Sequence, residues 1–465
     1  MARAPFFLLI NPWVTDFAAF DLWAKPLGLL QLAALLRDGG AEVGLVDCLS
    51  RALTASDTPT DLIPGKAHAF GTGGFPRVRI PKPAPVSMLP RRYYRYGIST
   101  ERFREVVQEY PKPDCVWVTS IMTYWYPGVQ LAIALLREIY PEVPLWLGGI
   151  YASLCPEHAL LTSGADEIVT QPLRQLPDKI LALTGLAVRN RGAWESFEAA
   201  PSPALDLVRP LRYAPLLTSA GCPFRCGYCA SSVLQPQRSR KSADAITQEI
   251  ERWHAADGVV DFAFYDDALL LDADTTLKPA LERVVRSGPS IRFHTPNALH
   301  VRGLTPEWCD LLRASGFTSL RLGLETTDPG HQREWGGKVR TQMFLAAVHH
   351  LHRAGFAPSQ IGVYLLCGLP GQRPEEVLEA IRVVTDAGAQ PYLCEYSPIP
   401  GTGLWEEARR LSPHDLAGEP LTHNNTFFAC RRPDFTYEDL LALKEKAHRA
   451  REVTRAEEAA DASPL

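Results

Sequence analysis

The run Gly221-Cys222-Pro223-Phe224-Arg225-Cys226-Gly227-Tyr228-Cys229-Ala230 is the most informative stretch of this 465-residue sequence. Its cysteines, Cys222, Cys226 and Cys229, follow a C-x-x-x-C-x-x-C spacing. Three thiolates on one short loop can bind three irons of a [4Fe–4S] cluster, and the fourth iron then has no protein ligand from this loop. Such an open position is what a cluster needs if it is to bind and cleave a substrate rather than only pass electrons.

The alternative uses of these cysteines are a structural zinc site and a disulfide. A structural zinc site needs four closed ligands, usually from a second C-x-x-C or a pair of histidines. No second C-x-x-C occurs, and the nearest histidine is His254. A disulfide with one free thiol is disfavoured, because the ten cysteines form no small disulfide scaffold and predict a reducing, cytoplasmic location.

Composition narrows the choice of partners. The hydrophobic share of 46% and charged share of 22% are those of an ordinary globular protein. A net charge of −4 offers no basic excess, so a nucleic acid is not expected as the main partner. No apolar run is long enough to predict a membrane span, and the apolar run 6–10 is expected to be a buried strand rather than a signal peptide.

The first part of the chain alternates apolar strands with amphipathic helices. Strands are predicted over residues 5–11, 43–46, 115–119, 144–147 and 167–170. Nearly all-apolar strands in such an alternation predict a parallel sheet covered on both faces, hence a doubly wound, Rossmann-like α/β domain over 1–185. The Pro- and Gly-rich segment 49–98 is expected to be an inserted loop, serving as a lid, a binding loop or a linker. Residues 186–211 are expected to link this domain to the next.

A second βα series follows. Strands are predicted over residues 216–219, 262–265, 292–295, 319–324, 361–366 and 391–396, with helices between them. This predicts a partial (β/α)6 barrel over 212–402 whose chemistry lies at the carboxyl ends of the strands. The cysteine loop directly follows the first of these strands. Residues 403–465 are expected to form a helical C-terminal extension.

The cysteine loop, with the aromatic Tyr228 between its last two cysteines, resembles that of the radical S-adenosylmethionine (radical SAM) enzymes. The resemblance implies that the open iron is chelated by SAM, which is cleaved to a 5′-deoxyadenosyl radical. That radical then abstracts hydrogen from a substrate carbon. A reactive radical needs a closed, dry cavity, which a barrel lumen can offer.

The resemblance also implies contacts to SAM. Asp266 or Asp267 would hold the methionine amino group, although a helix N-cap is the alternative for an acid at this place. Glu325 would accept hydrogen bonds from the ribose and Arg321 would lie near a carboxylate, the alternative being an Arg–Glu pair without a ligand. The further candidates are Tyr228, Asn297 and Gly368, where glycine permits close approach of adenine. His294 and His300 are assigned no catalytic role, and the sequence identifies no catalytic residue.

The first domain resembles the cobalamin-binding domain of a large radical SAM subgroup. The resembling stretches are 25–30, 120–127 and 147–157, and the Asp-x-His-x-x-Gly motif of a cobalt-ligating histidine is absent. A domain that lacks the cofactor and serves as a platform is the alternative. Tyr124, Trp125 or Tyr151 could cap the lower face of the corrin. The expected cobalamin contacts are Ser120, Thr123, Gly148, Gly149, Tyr151 and Gln171.

The sequence therefore predicts a radical SAM enzyme with a [4Fe–4S] cluster, SAM and cobalamin, in which methyl transfer follows hydrogen abstraction. Radical rearrangement or oxidation without methyl transfer, with or without cobalamin, is the enzymatic alternative. A non-catalytic scaffold stabilised by its metal is the alternative from another class. The expected partners are a small-molecule or peptide substrate and an electron donor such as flavodoxin or ferredoxin.

Overall fold

A computed structural model describes residues 3–55, 62–288 and 290–461 of the chain. Two compact units are present. The N-terminal unit comprises Met1–Arg212 with Ala417–His423, and the C-terminal unit comprises Tyr213–Leu416 with Asn424–Leu465. Among the described residues, no helix has the length and apolar character needed to cross a membrane.

The N-terminal unit is built on a five-stranded parallel sheet. The regular elements of this unit, in chain order, are β1 (Phe6–Asn11), β2 (Val14–Asp16), β3 (Phe20–Asp21), α1 (Leu27–Gly39), β4 (Glu42–Asp47), α2 (Arg51–Ala55), β5 (Gly73–Gly74), β6 (Arg77–Ile80), β7 (Tyr93–Tyr96), α3 (Thr100–Gln108), β8 (Cys115–Val118), α4 (Tyr126–Ile139), β9 (Leu145–Leu147), α5 (Ile150–Leu154), α6 (Pro156–Thr162), β10 (Glu167–Ile168), α7 (Leu176–Thr184) and α8 (Arg191–Glu195).

The strand order in this sheet is β10-β9-β8-β1-β4. Strands β1, β8 and β9 are buried along their whole length, as expected of a parallel sheet with both faces covered. The five strands predicted for the first domain are therefore confirmed, with boundaries that shift by a few residues. Their carboxyl ends lie at one edge of the sheet, where α/β proteins bind their ligands.

The segment 49–98 is more regular than the loop expected from its Pro and Gly content. Strand β7 pairs antiparallel with β2 and β6, and β5 pairs antiparallel with β3. Tyr93 and Tyr96 are buried, and the Tyr93 hydroxyl donates to the carbonyl of Thr15 at 3.0 Å. The prediction of an inserted loop missed these short strands, because two of their pairing partners, β2 and β3, lie outside the segment. Residues 56–61 of the predicted insertion lie outside the described residues.

The segment 186–211, expected to be a linker, packs on helix α1 of the N-terminal unit. The backbone N–H of Ala204 donates to the carbonyl of Leu30 at 3.0 Å, and the Gln31 side chain donates to the carbonyl of Pro201 at 2.8 Å. Trp194 and Leu205 are buried. These apolar side chains, interspersed among Pro and Arg, explain why the segment folds onto the unit rather than spanning a gap.

The C-terminal unit is built on a six-stranded parallel sheet. Its regular elements are β11 (Ala214–Leu216), β12 (Ser219–Ala220), α9 (Ser231–Leu234), β13 (Ser239–Arg240), α10 (Ala243–Asp257), β14 (Asp261–Phe264), α11 (Leu277–Ser287), β15 (Arg292–His294), α12 (Pro306–Ala314), β16 (Phe317–Glu325), α13 (Pro329–Glu334), α14 (Thr341–Arg353), β17 (Ile361–Cys367), α15 (Pro374–Asp386), β18 (Gln390–Glu395), α16 (Trp405–Leu411) and α17 (Tyr437–Asp461).

The strands of this sheet follow chain order, β11-β14-β15-β16-β17-β18, as repeated βα units require. Five of the six predicted strands are confirmed at nearly the expected residues. The first strand ends at Leu216, whereas the sequence placed it over 216–219. Ser219 and Ala220 instead pair antiparallel with β13, so the chain has already turned away from the sheet before the first cysteine.

The predicted C-terminal extension is divided between the two units. Helices α16 and α17 belong to the C-terminal unit, whereas Ala417–His423 belongs to the N-terminal unit. Within the latter, Glu419 accepts a hydrogen bond from the Tyr126 hydroxyl at 3.0 Å, and His423 Nδ1 lies 2.9 Å from Thr123 Oγ1. A single helical extension was therefore an incomplete description of residues 403–465.

The close approach of Gly149 to the strand end at Ser120 yields a stability prediction. Gly149 has φ 92° and ψ −168°, a region essentially restricted to glycine, and an added Cβ would lie 2.6 Å from the Ser120 nitrogen. Gly149→Ala is expected to lower the free energy of unfolding by about 3 kcal/mol or more, because strain and overlap combine. Urea unfolding, followed by tryptophan fluorescence, measures the effect.

Gly185→Ala is the matched control for this substitution. Gly185 also has a positive φ, 73°, but an added Cβ would have no heavy atom within 4 Å. It is expected to cost only about 1 kcal/mol. Equal destabilisation by the two substitutions would show that contact with Ser120 is not what requires glycine at position 149.

Candidate functional site

The cysteine loop begins at the carboxyl end of β11 and is tied to the neighbouring strand β14 by one carboxylate. Asp266, two residues beyond β14, is buried and accepts hydrogen bonds from Thr218 Oγ1 at 2.7 Å and Ser219 Oγ at 2.6 Å. The backbone N–H of Thr218 also donates to both of its oxygens. Burial raises the pKa of Asp266, and the hydrogen bonds from Ser219 and Thr218 act against that rise. Asp266 therefore holds the start of the loop, whereas from the sequence it was expected to contact SAM.

The middle of the loop rests on the segment that follows helix α13. The backbone N–H of Gly227 donates to the carbonyl of Trp335 at 3.1 Å, and Leu404 N–H donates to the carbonyl of Gly227 at 2.7 Å. Gly336 lies against the buried Cys226, because a Cβ added to it would be 2.8 Å from Sγ and 2.9 Å from Cα of that cysteine. The position opposite Cys226 thus has no room for a side chain.

The three thiols differ in burial. Cys226 is buried, while Cys222 and Cys229 are half-buried and so open toward solvent. Burial raises the pKa values of the Cys222 and Cys226 thiols, and the nearby ammonium of Lys338 acts against this rise in both. A cation beside thiols favours the thiolate form in which cysteine binds a metal.

Three thiols on one loop are a donor set that fits an iron–sulfur cluster. Among residues 3–55, 62–288 and 290–461, no three His, Cys, Asp or Glu side chains converge tightly enough to hold one metal ion. In a cluster each thiolate binds a different iron, so the three sulfurs need not converge on one point. His300 Nε2 lies 3.9 Å from Cys222 Sγ, and its ring stacks on Phe224.

A narrow cavity lies beside the loop. Its wall includes Tyr228, Glu325 and Lys338, so two of the predicted SAM contacts share it. Lys338 Nζ lies 2.7 Å from Glu325 Oε1 and 5.5 Å from the centre of the Tyr228 ring. Burial lowers the pKa of Lys338, but the charges of Glu325 and Cys226 outweigh it and leave the pKa raised. The cavity therefore presents a fixed ammonium donor and a carboxylate acceptor.

Backbone geometry places Glu325 in that wall. Glu325 is the last residue of β16 and has a positive φ of 67°, which is uncommon for a residue other than glycine. The pairing of β16 with β17 shifts register between Gly323 and Glu325. The irregularity re-aims the end of the strand, as bulges next to active sites often do.

The other predicted SAM contacts have partners of their own. Asn297 donates to the carbonyl of Tyr265 at 2.7 Å. The Arg321 guanidinium lies 4.5 Å from the centre of the Tyr392 ring and donates to the carbonyl of Leu320. The Phe428 ring covers Gly368 so closely that a Cβ would collide with it. Burial raises the pKa of Asp267, and a hydrogen bond with Ser231 opposes it.

Sequence reasoning missed two residues of this site, Gly336 and Lys338. Both belong to the run Trp335-Gly336-Gly337-Lys338, which follows helix α13. The glycine pair followed by a lysine could have drawn attention to this run, because it lies soon after the strand that ends in the candidate residue Glu325. Nothing in the sequence, however, indicated that this run faces the cysteine loop more than a hundred positions earlier.

A second cavity lies in the N-terminal unit at the carboxyl ends of β8, β9 and β10. Three of the predicted cobalamin contacts, Gly148, Gly149 and Gln171, line it. The Gln171 Oε1 atom is buried and has no hydrogen-bond partner among the described residues. Buried polar atoms are normally paired, so this acceptor is available to a hydrogen-bond donor in the cavity.

The remaining wall of that cavity is largely apolar. Leu29, Leu32, Trp117 and Leu176 contribute to it. Ser120, predicted as a contact, supports the cavity from behind, since its buried hydroxyl donates to the carbonyl of Gly148 at 2.8 Å.

Thr123 and Tyr151, also predicted as cobalamin contacts, do not line this cavity. Thr123 is paired with His423, as described above. Tyr151 is fully buried, its hydroxyl lies 2.6 Å from His158 Nδ1, and its ring stacks on Tyr126. Of the other aromatic candidates, Trp125 donates to Asp16 Oδ2 at 2.7 Å.

Comparison with known families agrees with this geometry. Residues 216–384 match the family model described as the radical SAM superfamily. This range contains all three loop cysteines, Glu325 and Lys338, so the C-terminal unit carries a radical SAM domain.

Two curated proteins are similar over much of the chain. An uncharacterized methyltransferase, PH0819, of Pyrococcus horikoshii is 23% identical over 325 residues, covering 64% of this chain and 69% of that protein. Cytidylyl-2-hydroxyethylphosphonate methyltransferase of Streptomyces wedmorensis is 23% identical over 474 residues, covering 87% of this chain and 81% of its own length.

Solved structures of the radical SAM methyltransferase TsrM from Kitasatospora setae share the fold. The one with cobalamin and a [4Fe–4S] cluster bound has a TM-score of 0.66 and 18% identity, covering 95% of this chain and 91% of TsrM. The one with tryptophan substrate and the SAM analog aza-SAM has a TM-score of 0.65 and 17% identity, covering 95% and 89%.

The contact between Gly336 and Cys226 gives the second prediction. Gly336→Ala would place a methyl group 2.8 Å from Cys226 Sγ, at a φ of 142° that disfavours alanine. We expect this variant to fold but to lose most of its bound iron and sulfide, because Cys226 is displaced. Iron and sulfide per chain, measured after anaerobic reconstitution, report the loss.

Gly337→Ala is the matched control, because Gly337 also has a positive φ, 62°, but open space where its Cβ would stand. It is expected to keep its cluster. Full loading of the Gly336→Ala variant would contradict the assignment of Gly336 as the residue that makes room for Cys226.

Proposed function

We propose that this radical SAM enzyme is a cobalamin-dependent methyltransferase that acts on a carbon atom of a small molecule. The observation that carries the proposal is the presence, in one chain, of two sites at the carboxyl ends of parallel strands. One is the loop of three thiols after β11, and the other is the cavity that contains the unpartnered Gln171 acceptor. In this proposal the six-stranded sheet is a partial barrel and the five-stranded sheet a Rossmann-like domain.

Cys222, Cys226 and Cys229 are the proposed ligands of a [4Fe–4S] cluster. When bound, the cluster supplies an open iron and a low-potential electron for the reductive cleavage of SAM. The chain's own part is to keep Cys226 in place, through Gly336 and the Gly227 backbone bonds, and to place Lys338 near the thiols.

The cavity beside the loop is the proposed contact surface for SAM. Lys338 offers an ammonium donor suited to a carboxylate, and Glu325 offers an acceptor suited to hydroxyl groups. Tyr228 forms part of the cavity wall and packs against a buried cluster that includes Trp335 and Leu404. This packing limits the access of water to the site, and a radical reaction requires such exclusion of water.

The cavity at β8, β9 and β10 is the proposed site for the nucleotide tail of cobalamin. Its apolar wall with a few polar atoms is typical of small-molecule sites. Gly148 and Gly149 carry no side chains, which permits close approach to the backbone. Gln171 Oε1 would accept a hydrogen bond from a donor of the ligand, and bound cobalamin supplies a methyl carrier.

Similar proteins favour a small-molecule substrate. The names of two of them specify a nucleotidyl phosphonate and tryptophan, and neither is a macromolecule. A peptide substrate and a reaction without methyl transfer are the alternatives, and the assay below tests the second of them. Flavodoxin or ferredoxin is the proposed electron donor, and the cytoplasm, inferred from cysteine usage, is the proposed location.

The third prediction concerns the reaction itself. Anaerobically reconstituted protein with hydroxocobalamin, SAM and dithionite is expected to form both 5′-deoxyadenosine and S-adenosylhomocysteine. Cys226→Ala is expected to abolish both products, because the cluster loses a ligand, whereas Cys155→Ala removes a half-buried thiol of the N-terminal unit and should leave them unchanged. Liquid chromatography with mass spectrometry quantifies the two nucleosides.

The outcomes separate the alternatives. Formation of 5′-deoxyadenosine without S-adenosylhomocysteine would favour a radical rearrangement or oxidation. If neither product forms and SAM leaves the spectrum of the cluster unchanged, the proposed reaction is wrong.

The fourth prediction concerns the N-terminal cavity. Gln171→Leu removes the buried acceptor at nearly constant volume and is expected to weaken hydroxocobalamin binding about tenfold, the cost of one lost hydrogen bond in a buried site. A titration followed by visible absorbance measures the dissociation constant. Gln175→Leu, an exposed position nearby, is the control. A wild-type protein that binds no hydroxocobalamin at saturating ligand would reject the cobalamin assignment.

A further inference from the structure

A third cavity lies in the N-terminal unit where β4 ends, and the proposed function makes no use of it. Its lining combines four cationic side chains with two carboxylates: Lys25, Arg51, Arg209, Arg212, Asp21 and Asp47. It lies at the opposite end of the five-stranded sheet from the cavity at β8, β9 and β10, because β4 and β10 are the two edge strands. The two cavities share no lining residue.

One edge of the Arg51 guanidinium, in the lining of this cavity, makes no hydrogen bond to the described residues. Its Nη1 donates to the carbonyls of Gly71 at 3.1 Å and Thr72 at 3.0 Å, which fixes the guanidinium. Its Nε and Nη2 atoms are buried and have no hydrogen-bond partner among the described residues. These two nitrogens form the side of a guanidinium that binds two oxygens of a carboxylate or phosphate at once.

The acidic residues of the cavity do not satisfy that edge. Asp21 Oδ2 lies 3.6 Å from Arg51 Nη2 and also 3.6 Å from Lys25 Nζ, distances beyond those of hydrogen bonds. Asp47 is held by the Asn11 amide at 2.7 Å and the Leu49 N–H at 3.0 Å. The carboxylates are thus outnumbered by the cations, and a buried arginine edge is left for an added anion.

We propose that this cavity binds the dianionic phosphoryl group of a small molecule, with Arg51 as the bidentate ligand. Lys25 reinforces the attraction from within the cavity, and Arg212 does so from its exposed rim. A dianion matches the excess of two positive side chains over the acidic ones, whereas a single carboxylate would leave part of that charge uncompensated. Asp21 competes with the ligand, since its carboxylate lies on the same side of Arg51.

The test is calorimetric titration of the full-length protein with inorganic phosphate and pyrophosphate at constant ionic strength, without SAM or reductant. Saturable binding is expected for both probes, and acetate is expected not to saturate. Arg51→Gln should weaken binding at least about tenfold, because two charge-assisted hydrogen bonds are lost. Arg104→Gln is the control, since it removes an exposed arginine of the same unit that pairs with Glu138 outside the cavity.

Two further variants keep the test decisive if Arg51→Gln fails to fold. Arg212→Gln alters an exposed residue and should weaken binding about threefold. Asp21→Asn should tighten binding, because it removes the competing charge while an Asn oxygen still accepts from Ala24 N–H. A gain of affinity on removing a carboxylate is not expected of a merely structural cluster.

Several results would overturn the proposal. They are the absence of saturable phosphate binding, equal affinities of the Arg51→Gln and wild-type proteins, weakening by Asp21→Asn, and saturation by acetate. Displacement of phosphate by hydroxocobalamin would assign the cavity to the cobalamin site instead. Because no cluster or SAM takes part in this titration, failure of the methyltransferase proposal would leave its result unaffected.

Discussion

A buried carboxylate determines where the chemistry of this protein can take place. Asp266 follows β14, yet its oxygens bind Thr218 and Ser219 at the start of the cysteine loop. A buried carboxylate is costly unless its hydrogen bonds are made, so the loop and the two adjacent strands are held in one arrangement. The positions of the thiols depend on these contacts, because the loop contains no regular secondary structure of its own between Gly221 and Ala230.

Glycine then makes the space that the loop needs. Gly336 faces Cys226 where any side chain would overlap with the sulfur, and Gly149 faces the end of β8 in the same manner. In both units the close approach occurs at the carboxyl ends of parallel strands. Ligand sites of α/β proteins gather at this edge, because the connections that leave the strands there diverge and open a crevice.

Some of the buried polar atoms that have no hydrogen-bond partner among the described residues lie at the same edge. Gln171 Oε1 and the Nε–Nη2 edge of Arg51 both border cavities beyond strand ends of the N-terminal unit. Most buried polar groups of a folded protein are hydrogen-bonded, so an unpartnered atom that borders a cavity is a candidate ligand contact. The proposed cobalamin site and the proposed phosphoryl site thus both lie at the carboxyl ends of parallel strands.

Apolar runs and cysteine spacing determined much of this protein from the sequence alone. Strands such as Phe6–Asn11 and Ile361–Cys367 were predictable because a buried parallel strand needs little more than local hydrophobicity. The structures of segments 49–98 and 186–211 were not predictable, because they depend on contacts with residues elsewhere in the chain. Only the tertiary structure decided that Asp266 holds the loop, that Lys338 lies beside the thiols, and that Thr123 pairs with His423. Those contacts join residues far apart in sequence, and no local pattern records which side chains the folded backbone will bring together.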